Sequence, residues 1–224
     1  MIYISEKSDA SMKLEQPNTN KKIIKNRNNF FLKNNINPKS VVSAEIIHSN
    51  KVEIITKIDA WKIILWVDWL VTSEKKLFLS VTFADCVPVF FYDEKKQVVW
   101  IIHAWRKWIV ANISKTIIWK FTNHFKSNPK DIIVKIWAHI QNCHFEIKDD
   151  ISWNFKEKYK TKKDWKLKVN LQEIIKDQLL ELWLDLKNIQ LNNECTYCEK
   201  EKYFSYRRDK PKKVEAMIGV IGVK

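Results

Sequence analysis

The chain has 224 residues, 46% of them hydrophobic, which is enough for a core and too apolar for a disordered chain. Forty Lys and Arg against 26 Asp and Glu leave a net charge of +14, which permits an anionic substrate or partner without requiring one. No apolar run reaches the ~18 residues of a membrane span, so no membrane partner is expected. The opening MIYISEKSDASMKLEQ lacks the basic-then-apolar layout of a secretion signal, and four cysteines make no disulfide scaffold, so a cytoplasmic setting is expected.

Residues 1–25 are polar and rich in Lys and Asn, a mix of loop and short strand. Residues 26–36 (NRNNFFLKNNI) are expected as a short helix, and 41–56 (VVSAEIIHSNKVEIIT) as two strand segments around a His-Ser-Asn corner. LFLSVTF (77–83) is a strand rich in β-branched and aromatic residues. VPVFFY (87–92) and QVVWII (97–102) flank DEKK as a hairpin whose strands, nearly all apolar, bury both faces. Residues 108–125 read as a helix, with Ile109, Ile113, Ile117 and Phe121 at spacings of four. DIIVKIWAHI (131–140) reads as a buried strand and 149–159 as a helix. Residues 171–182 form another helix, with Leu171, Ile174, Ile175, Leu179 and Leu182 on one face and Asn170 as its N-cap. NIQLNN (188–193), KYFSYRR (202–208) and EAMIGVIG (215–222) are expected as strands. Helices and strands mix without a βαβ rhythm, which predicts an α+β (mixed α/β) single domain with a buried mixed sheet flanked by helices.

Glycine occurs twice and tryptophan eleven times. Average glycine usage is about 7%, and a fold with many turns needs residues that accept positive φ. Trp183 stands where an apolar helix ends, the C′ position that favours glycine, and Trp165 follows Asp164 where an Asp-Gly turn would fall. Trp61, Trp66, Trp69, Trp105, Trp108, Trp137 and Trp153 also stand at junctions. The pattern is that of UGA codons read as glycine by the organism and rendered here as tryptophan.

If Tyr92 pairs with Gln97 across the hairpin, Cys86 stands opposite His103, and cross-strand Cβ atoms ~4.5–5.5 Å apart suit a thiolate and an imidazole sharing one metal or forming a Cys–His pair. His48, at another strand end, offers a third ligand. His/Cys/His ligation leaves the fourth position of a tetrahedral Zn²⁺ open, as catalytic zinc requires. Asp85 adjoins the cysteine and is placed to orient a histidine or to contact substrate. Residue types alone equally allow a buried structural Cys and satisfied structural His. Cys195 and Cys198 form a CxxC without a second CxxC, so packing beside the pocket is expected of them rather than a zinc ribbon. Cys143, His144 and Glu146 make a polar cluster that lines the pocket or is ordinary structure, and His124 and His139 carry no supporting motif.

TFADCVPVFFYDEKKQVVWIIHAWRKW resembles the signature of the laccase-domain, YfiH-like family: T-A-D-C-x-P-V, an acidic turn, a buried strand, then H-A-G-W-R-G. Thr82, Asp85, Cys86, Pro88, Val89, His103 and Ala104 match, and Trp105 and Trp108 fall on the two family glycines. His48 falls on the family histidine, VDWLVT (67–72) matches D-G-L-V-T, IWAHIQNCHFEI (136–147) is similar to I-G-x-x-I-G-P-C-C-Y-E-V, and CTYC followed by YFSYRRD matches the C-terminal signature. Arg106-Lys107 replace the family's Trp-Arg, Ile46 its usual Gln, Gln141-Asn142 its Gly-Pro and His144 its second Cys. The resemblance covers 26–224 as one catalytic domain, with 1–25 weakly matched.

The resemblance implies that His48, Cys86 and His103 bind Zn²⁺, or copper on the family's older description as multicopper polyphenol oxidoreductases, and centre the active site. It implies a purine nucleoside phosphorylase: phosphate attacks the ribose anomeric carbon of adenosine, and of inosine, guanosine or methylthioadenosine, and the purine leaves. It also implies adenosine deamination, in which water activated by zinc attacks purine C6. Arg106 and Lys107 are the phosphate candidates; Arg207 and Arg208 serve substrate binding or a structural ion pair. Copper-dependent phenol oxidation fits less well, because it needs several histidine-rich centres and the chain has five His. A hydrolase editing peptidoglycan precursors shares the same site. A basic nucleic-acid module is not expected, since the lysines are scattered rather than gathered beside stacking aromatics. The protein is expected as a monomer or homodimer.

Overall fold

In the segment 98–102, successive side chains enter two different interiors. Val98, Trp100 and Ile102 belong to one core cluster and Val99 and Ile101 to another, which is why the strand is apolar throughout. The computed structural model describes residues 1–14, 20–163 and 165–223. Its strands are β1 (Ile2–Ile4), β2 (Val41–Ala44), β3 (Val52–Ile54), β4 (Ile63–Ile64), β5 (Trp69–Thr72), β6 (Phe78–Phe83), β7 (Val87–Asp93), β8 (Val98–Ala104), β9 (Ile132–Ile136), β10 (Glu146–Ile147), β11 (Lys160–Lys163), β12 (Lys166–Val169), β13 (Ile189–Gln190) and β14 (Met217–Gly222). Its α-helices are α1 (Lys21–Lys33), α2 (Arg106–Val110), α3 (Ile113–Asn123), α4 (Leu171–Glu181) and α5 (Tyr206–Asp209).

A six-stranded mixed sheet runs β13-β9-β7-β8-β5-β3 and a five-stranded one β1-β14-β6-β2-β4, with β10-β12-β11 as a small third sheet. The two large sheets pack face to face: Leu70, Phe90, Val99 and Ile101 meet Val42, Leu79, Val81 and Ile221. On the far side of the six-stranded sheet, Trp100 and Phe91 pack against Ile117 and Phe121 of α3 and Ile175 and Leu179 of α4. On the far side of the five-stranded sheet, Phe30 and Phe31 of α1 cover Val41, Phe78, Ile218 and Val220. The result is four layers, helix, sheet, sheet, helices, in one α+β domain. Among the described residues, no helix is long and apolar enough to cross a membrane.

Local chemistry moves several elements from their expected places. The helix expected over 26–36 is α1, which starts at Lys21 because Asn20 caps it, its side chain accepting from Lys22 N at 2.8 Å. The helix expected over 108–125 breaks at Ala111–Asn112, where Asn112 adopts φ 58° and caps α3. Residues 149–159 form 3₁₀ turns instead of an α-helix. The strand expected over 202–208 is replaced by α5, nucleated by Ser205, whose hydroxyl accepts from Arg208 N at 3.2 Å. The β11–β12 hairpin carries too many charges to show alternation in the sequence, and Asp164 lies outside the described residues.

Four tryptophans take left-handed backbone: Trp61, Trp66, Trp165 and Trp183, at φ 71°, 59°, 61° and 68°. A bulky residue there is an outlier. Trp183 is the C′ residue of a Schellman motif closing α4, with Trp183 N bonded to Leu180 O and Leu184 N to Leu179 O. Trp165 is 92% exposed. The indole N–H groups of Trp69, Trp100 and Trp137 are buried with no hydrogen-bond partner, a desolvation cost of ~1–3 kcal/mol each, although the Trp100 ring itself fills the core against Phe121.

Candidate functional site

The hairpin register differs from the expected one by two residues. Asp93 pairs with Val98, Tyr92 with Val99 and Pro88 with His103. The turn is displaced because Asp93 Oδ1 accepts from Lys96 N at 3.0 Å and Gln97 takes φ 54°. Cys86 therefore lies just before β7, two residues from the partner of His103, in a diagonal relation rather than opposite it. The two side chains meet all the same, since diagonal neighbours on one face remain within reach of long side chains.

His48 completes the group. The donor atoms of His48, Cys86 and His103 all lie within 4.8 Å of one another, and the two imidazoles are 5.1 Å apart, centroid to centroid. His103 is buried, Cys86 partly exposed and His48 exposed, so the group opens to solvent on one side. One thiolate and two imidazoles, three donors with room for a fourth, form a donor set suited to zinc.

Asp68, at the entry to β5, arranges two of the three. Its carboxylate is wholly buried. Oδ2 sits 2.9 Å from His103 Nδ1 and accepts from His48 N at 3.1 Å, while Oδ1 accepts from Ile47 N at 3.1 Å and Ser49 N at 2.7 Å. One carboxylate thus fixes the His103 tautomer, leaving Nε2 for a metal, and gathers the corner where His48 is held at φ 62°. Burial works to raise the Asp68 pKa, but His103 and the backbone donors hold it below the ordinary carboxylate value. Burial likewise opposes the Cys86 thiolate, yet His103 and His48 bring it down to about 7. Burial opposes charge on His103, and Cys86 and Asp68 raise it to about 9. These shifts favour a thiolate–imidazolium pair in the metal-free site between about pH 7 and 9.

The orienting role expected of Asp85 belongs to Asp68. Asp85, at φ 87°, accepts instead from Thr196 Oγ1 and from Arg207 N, both at 2.6 Å. It ties the strand end that carries Cys86 to the C-terminal loop without touching a histidine. Asp68 lay in plain view in VDWLVT, but only the tertiary fold brings it to both histidines.

A cavity of ≈ 570 Å³ opens over the group, within the range that holds small ligands. Arg106 and Arg207 border it, as does Lys13, which the sequence gave no reason to choose. Phe145 and Tyr206 supply aromatic surface. Lys107 is exposed, lies over the Trp105 ring and is not among the lining residues. Arg208 is likewise no lining residue: its guanidinium donates to the carbonyls of Thr196, Tyr197 and Tyr203 and pairs with Asp209, a structural assignment. The Trp105 ring is 4.9 Å from that of His48, and Trp108 Nε1 donates to His48 O, but the Asp68 network holds His48 and His103 without either indole.

A second donor cluster lies apart from this group. Cys143 and His144 meet Cys195 and Cys198, with all four donor atoms within 4.8 Å of one another. The CxxC and the Cys-His pair, read separately in the sequence, form one unit.

The family model described as multi-copper polyphenol oxidoreductase laccase matches residues 5–224. The chain is 30% identical over 218 residues to purine nucleoside phosphorylase YlmD of Bacillus subtilis, covering 90% of this chain and 77% of that protein. It is 35% identical over 189 residues to a purine nucleoside phosphorylase of Clostridium acetobutylicum, covering 80% of this chain and 75% of the other. The crystal structure of the hypothetical protein YfiH of Bacillus licheniformis superposes with TM-score 0.88 at 27% identity, over 96% of this chain and 85% of that one. YlmD of Geobacillus stearothermophilus shares the fold, with TM-score 0.87 at 24% identity, over 96% and 84%. With the match running almost end to end and relatives at this identity, the chain belongs to the multi-copper polyphenol oxidoreductase laccase family.

Proposed function

We propose that the chain is a zinc-dependent purine nucleoside phosphorylase, converting adenosine and phosphate to adenine and ribose 1-phosphate. Inosine, guanosine and methylthioadenosine are further substrates on this reading, and deamination of adenosine a second activity. The observation that carries it is the cavity: the His48, Cys86 and His103 group lines it, with Lys13, Arg106 and Arg207 bordering the same space. Relatives named purine nucleoside phosphorylase support the reading.

His48, Cys86 and His103 would hold the zinc, which supplies Lewis acidity beside the bound substrate. The three cations offer the charge that a phosphate dianion needs, and an Arg suits its oxygens with paired donors. Phe145, with Arg207 over its ring, and Tyr206 offer aromatic surface to a purine. In the reaction a phosphate oxygen forms the new bond to the anomeric carbon, and the glycosidic C–N bond breaks with its electron pair passing to the base. Holding phosphate and nucleoside together is the main contribution asked of these residues.

The test supplies adenosine with and without phosphate, and with and without a chelator, and resolves adenine, inosine and hypoxanthine. Adenine that requires both phosphate and metal is the expected result, and inosine would add the deaminase activity. A folded, zinc-loaded protein giving no purine product would overturn the reading and direct attention to phenol oxidation with copper and to peptidoglycan precursors.

A further inference from the structure

We propose that Cys143, His144, Cys195 and Cys198 bind a second zinc ion, a structural one, separate from the His48, Cys86 and His103 group. Two loops far apart in sequence supply the donors. Cys143 and His144 lie in the turn before β10, and Cys195 and Cys198 in the loop after β13. The loops converge because β13 runs parallel to β9, with Ile189 opposite Val134. The contact continues past the strands: His139 bridges Cys195, Thr196 N donates to His139 O at 3.1 Å, and Gln141 Nε2 donates to Asn192 O at 2.9 Å.

Three of the four donors stand near the separations of a zinc tetrahedron, and all four lie within 4.8 Å of one another. Cys143 Sγ and Cys198 Sγ are 3.7 Å apart, and His144 Nδ1 is 3.3 Å from each. Zn–S bonds of ≈ 2.3 Å and Zn–N bonds of ≈ 2.0–2.1 Å at tetrahedral angles put neighbouring donors roughly 3.5–3.8 Å apart. A disulfide would need the sulfurs at ≈ 2.05 Å and would leave His144 unused. The imidazole is held flat against the Tyr197 ring, centroids 4.0 Å apart and planes 13° apart. Lys168 Nζ donates to Cys143 O at 2.7 Å and brings positive charge beside a centre that three thiolates would leave anionic.

The two clusters divide by donor count. Three donors leave a coordination position open; four close the shell, which is the mark of a structural ion. The position of the second cluster gives the ion something to hold. Thr196, inside the CxxC, donates to Asp85, whose other oxygen takes Arg207 N. Arg207 Nη1 in turn donates to Glu146 O, three residues after Cys143. The ion would clip the loop that carries Phe145 to the loop whose Thr196 is joined through Asp85 to Arg207.

The experiment measures zinc per chain by mass spectrometry of metals in the wild type, Cys198→Ser and His103→Ala. Two ions in the wild type and one in each variant are expected. The wild type also serves alone, should a variant fail to fold. Cys143 and Cys198 are exposed, so iodoacetamide should reach both in the metal-free protein, at a rate slowed by the raised pKa of each thiol, and neither where a metal occupies them. Protection before chelation and loss of protection after it is the expected result. A single zinc in the wild type that His103→Ala removes, rapid alkylation of both thiols in the zinc-loaded protein, or a mass two hydrogens lighter from a Cys143–Cys198 disulfide would each overturn the proposal. These readouts do not depend on enzymatic activity, so they stand apart from the phosphorylase reading.

Discussion

Asp68→Asn separates the metal arrangement from the packing around it, because it keeps the number of heavy atoms. The carboxylate accepts from four donors: Ile47 N and Ser49 N on one oxygen, His48 N and His103 Nδ1 on the other. An amide has one acceptor oxygen. If its NH₂ replaces Oδ2, it confronts His48 N–H and forces the His103 proton onto Nε2, the atom required by a metal. If it replaces Oδ1, Ile47 N and Ser49 N lose their acceptor in a wholly buried place. Unpaired buried donors cost ~1–3 kcal/mol each, so a stability loss of about 2–4 kcal/mol is expected. Loss of a carboxylate behind a metal-binding histidine lowers affinity ~10–100-fold, or about 1.4–2.7 kcal/mol. Zinc competition against a chromogenic chelator, alongside urea unfolding of both proteins, measures the two effects. Asp85→Asn is the control, since Asp85 touches no histidine and its loss should leave affinity at the first site unchanged. Equal zinc affinity in Asp68→Asn and the wild type would refute the argument that this carboxylate sets the tautomer.

Proton release provides a second test. In Cys198→Ser, where only the first site is expected to bind, zinc must displace the proton from His103 and, at lower pH, that of Cys86; with the metal-free groups near 9 and 7, proton release is greater below about 7 than between those values and falls off above about 9. Affinity therefore rises with pH across this range, and calorimetry in buffers of different ionisation enthalpy counts the protons; release that does not change with pH would contradict the thiolate–imidazolium pair. Arg207→Ala should raise KM for phosphate ~10-fold, the scale of one charge-assisted bond, whereas Arg208→Ala should lower Tm and leave that KM in place; the reverse outcome would reassign the two arginines. For the tryptophans, the codons at 61, 66, 165 and 183 are expected to be UGA, and peptide masses from the natural source to show glycine. Replacing these four by glycine in the chain as written should raise the unfolding free energy by ~1 kcal/mol per site, the cost of left-handed backbone for a side chain, less the entropy glycine adds to the unfolded state. UGG codons or unchanged denaturant midpoints would count against it.

Much of the fold is legible in the residue pattern because its causes are local. A strand apolar on both faces, such as 98–102, can only lie between two layers. The helix at 171–181 is visible in its apolar stripe, and its start in Asn170, whose side chain accepts from Glu173 N at 3.2 Å. The motif around Cys86 and His103, with His48 before it, identified the three donors that the fold gathers. What failed locally did so through side-chain capping: Ser205 turned an aromatic strand pattern into a helical turn, and Asp93 with Gln97 moved the hairpin by two.

Only the tertiary structure decided which groups act together. Asp68 is thirty-five residues from His103 and shows no spacing that marks it; it matters because β5 and β8 are neighbours, antiparallel, with Trp69 opposite Ile102. Cys143 and Cys198, fifty-five residues apart, meet because two short parallel strands set their loops side by side. Sequence shows the periodicity that buries a face and the residue types that can bind a metal. Which of those residues share one space depends on strand order and register, set by the packing of the whole chain and carried by no single segment.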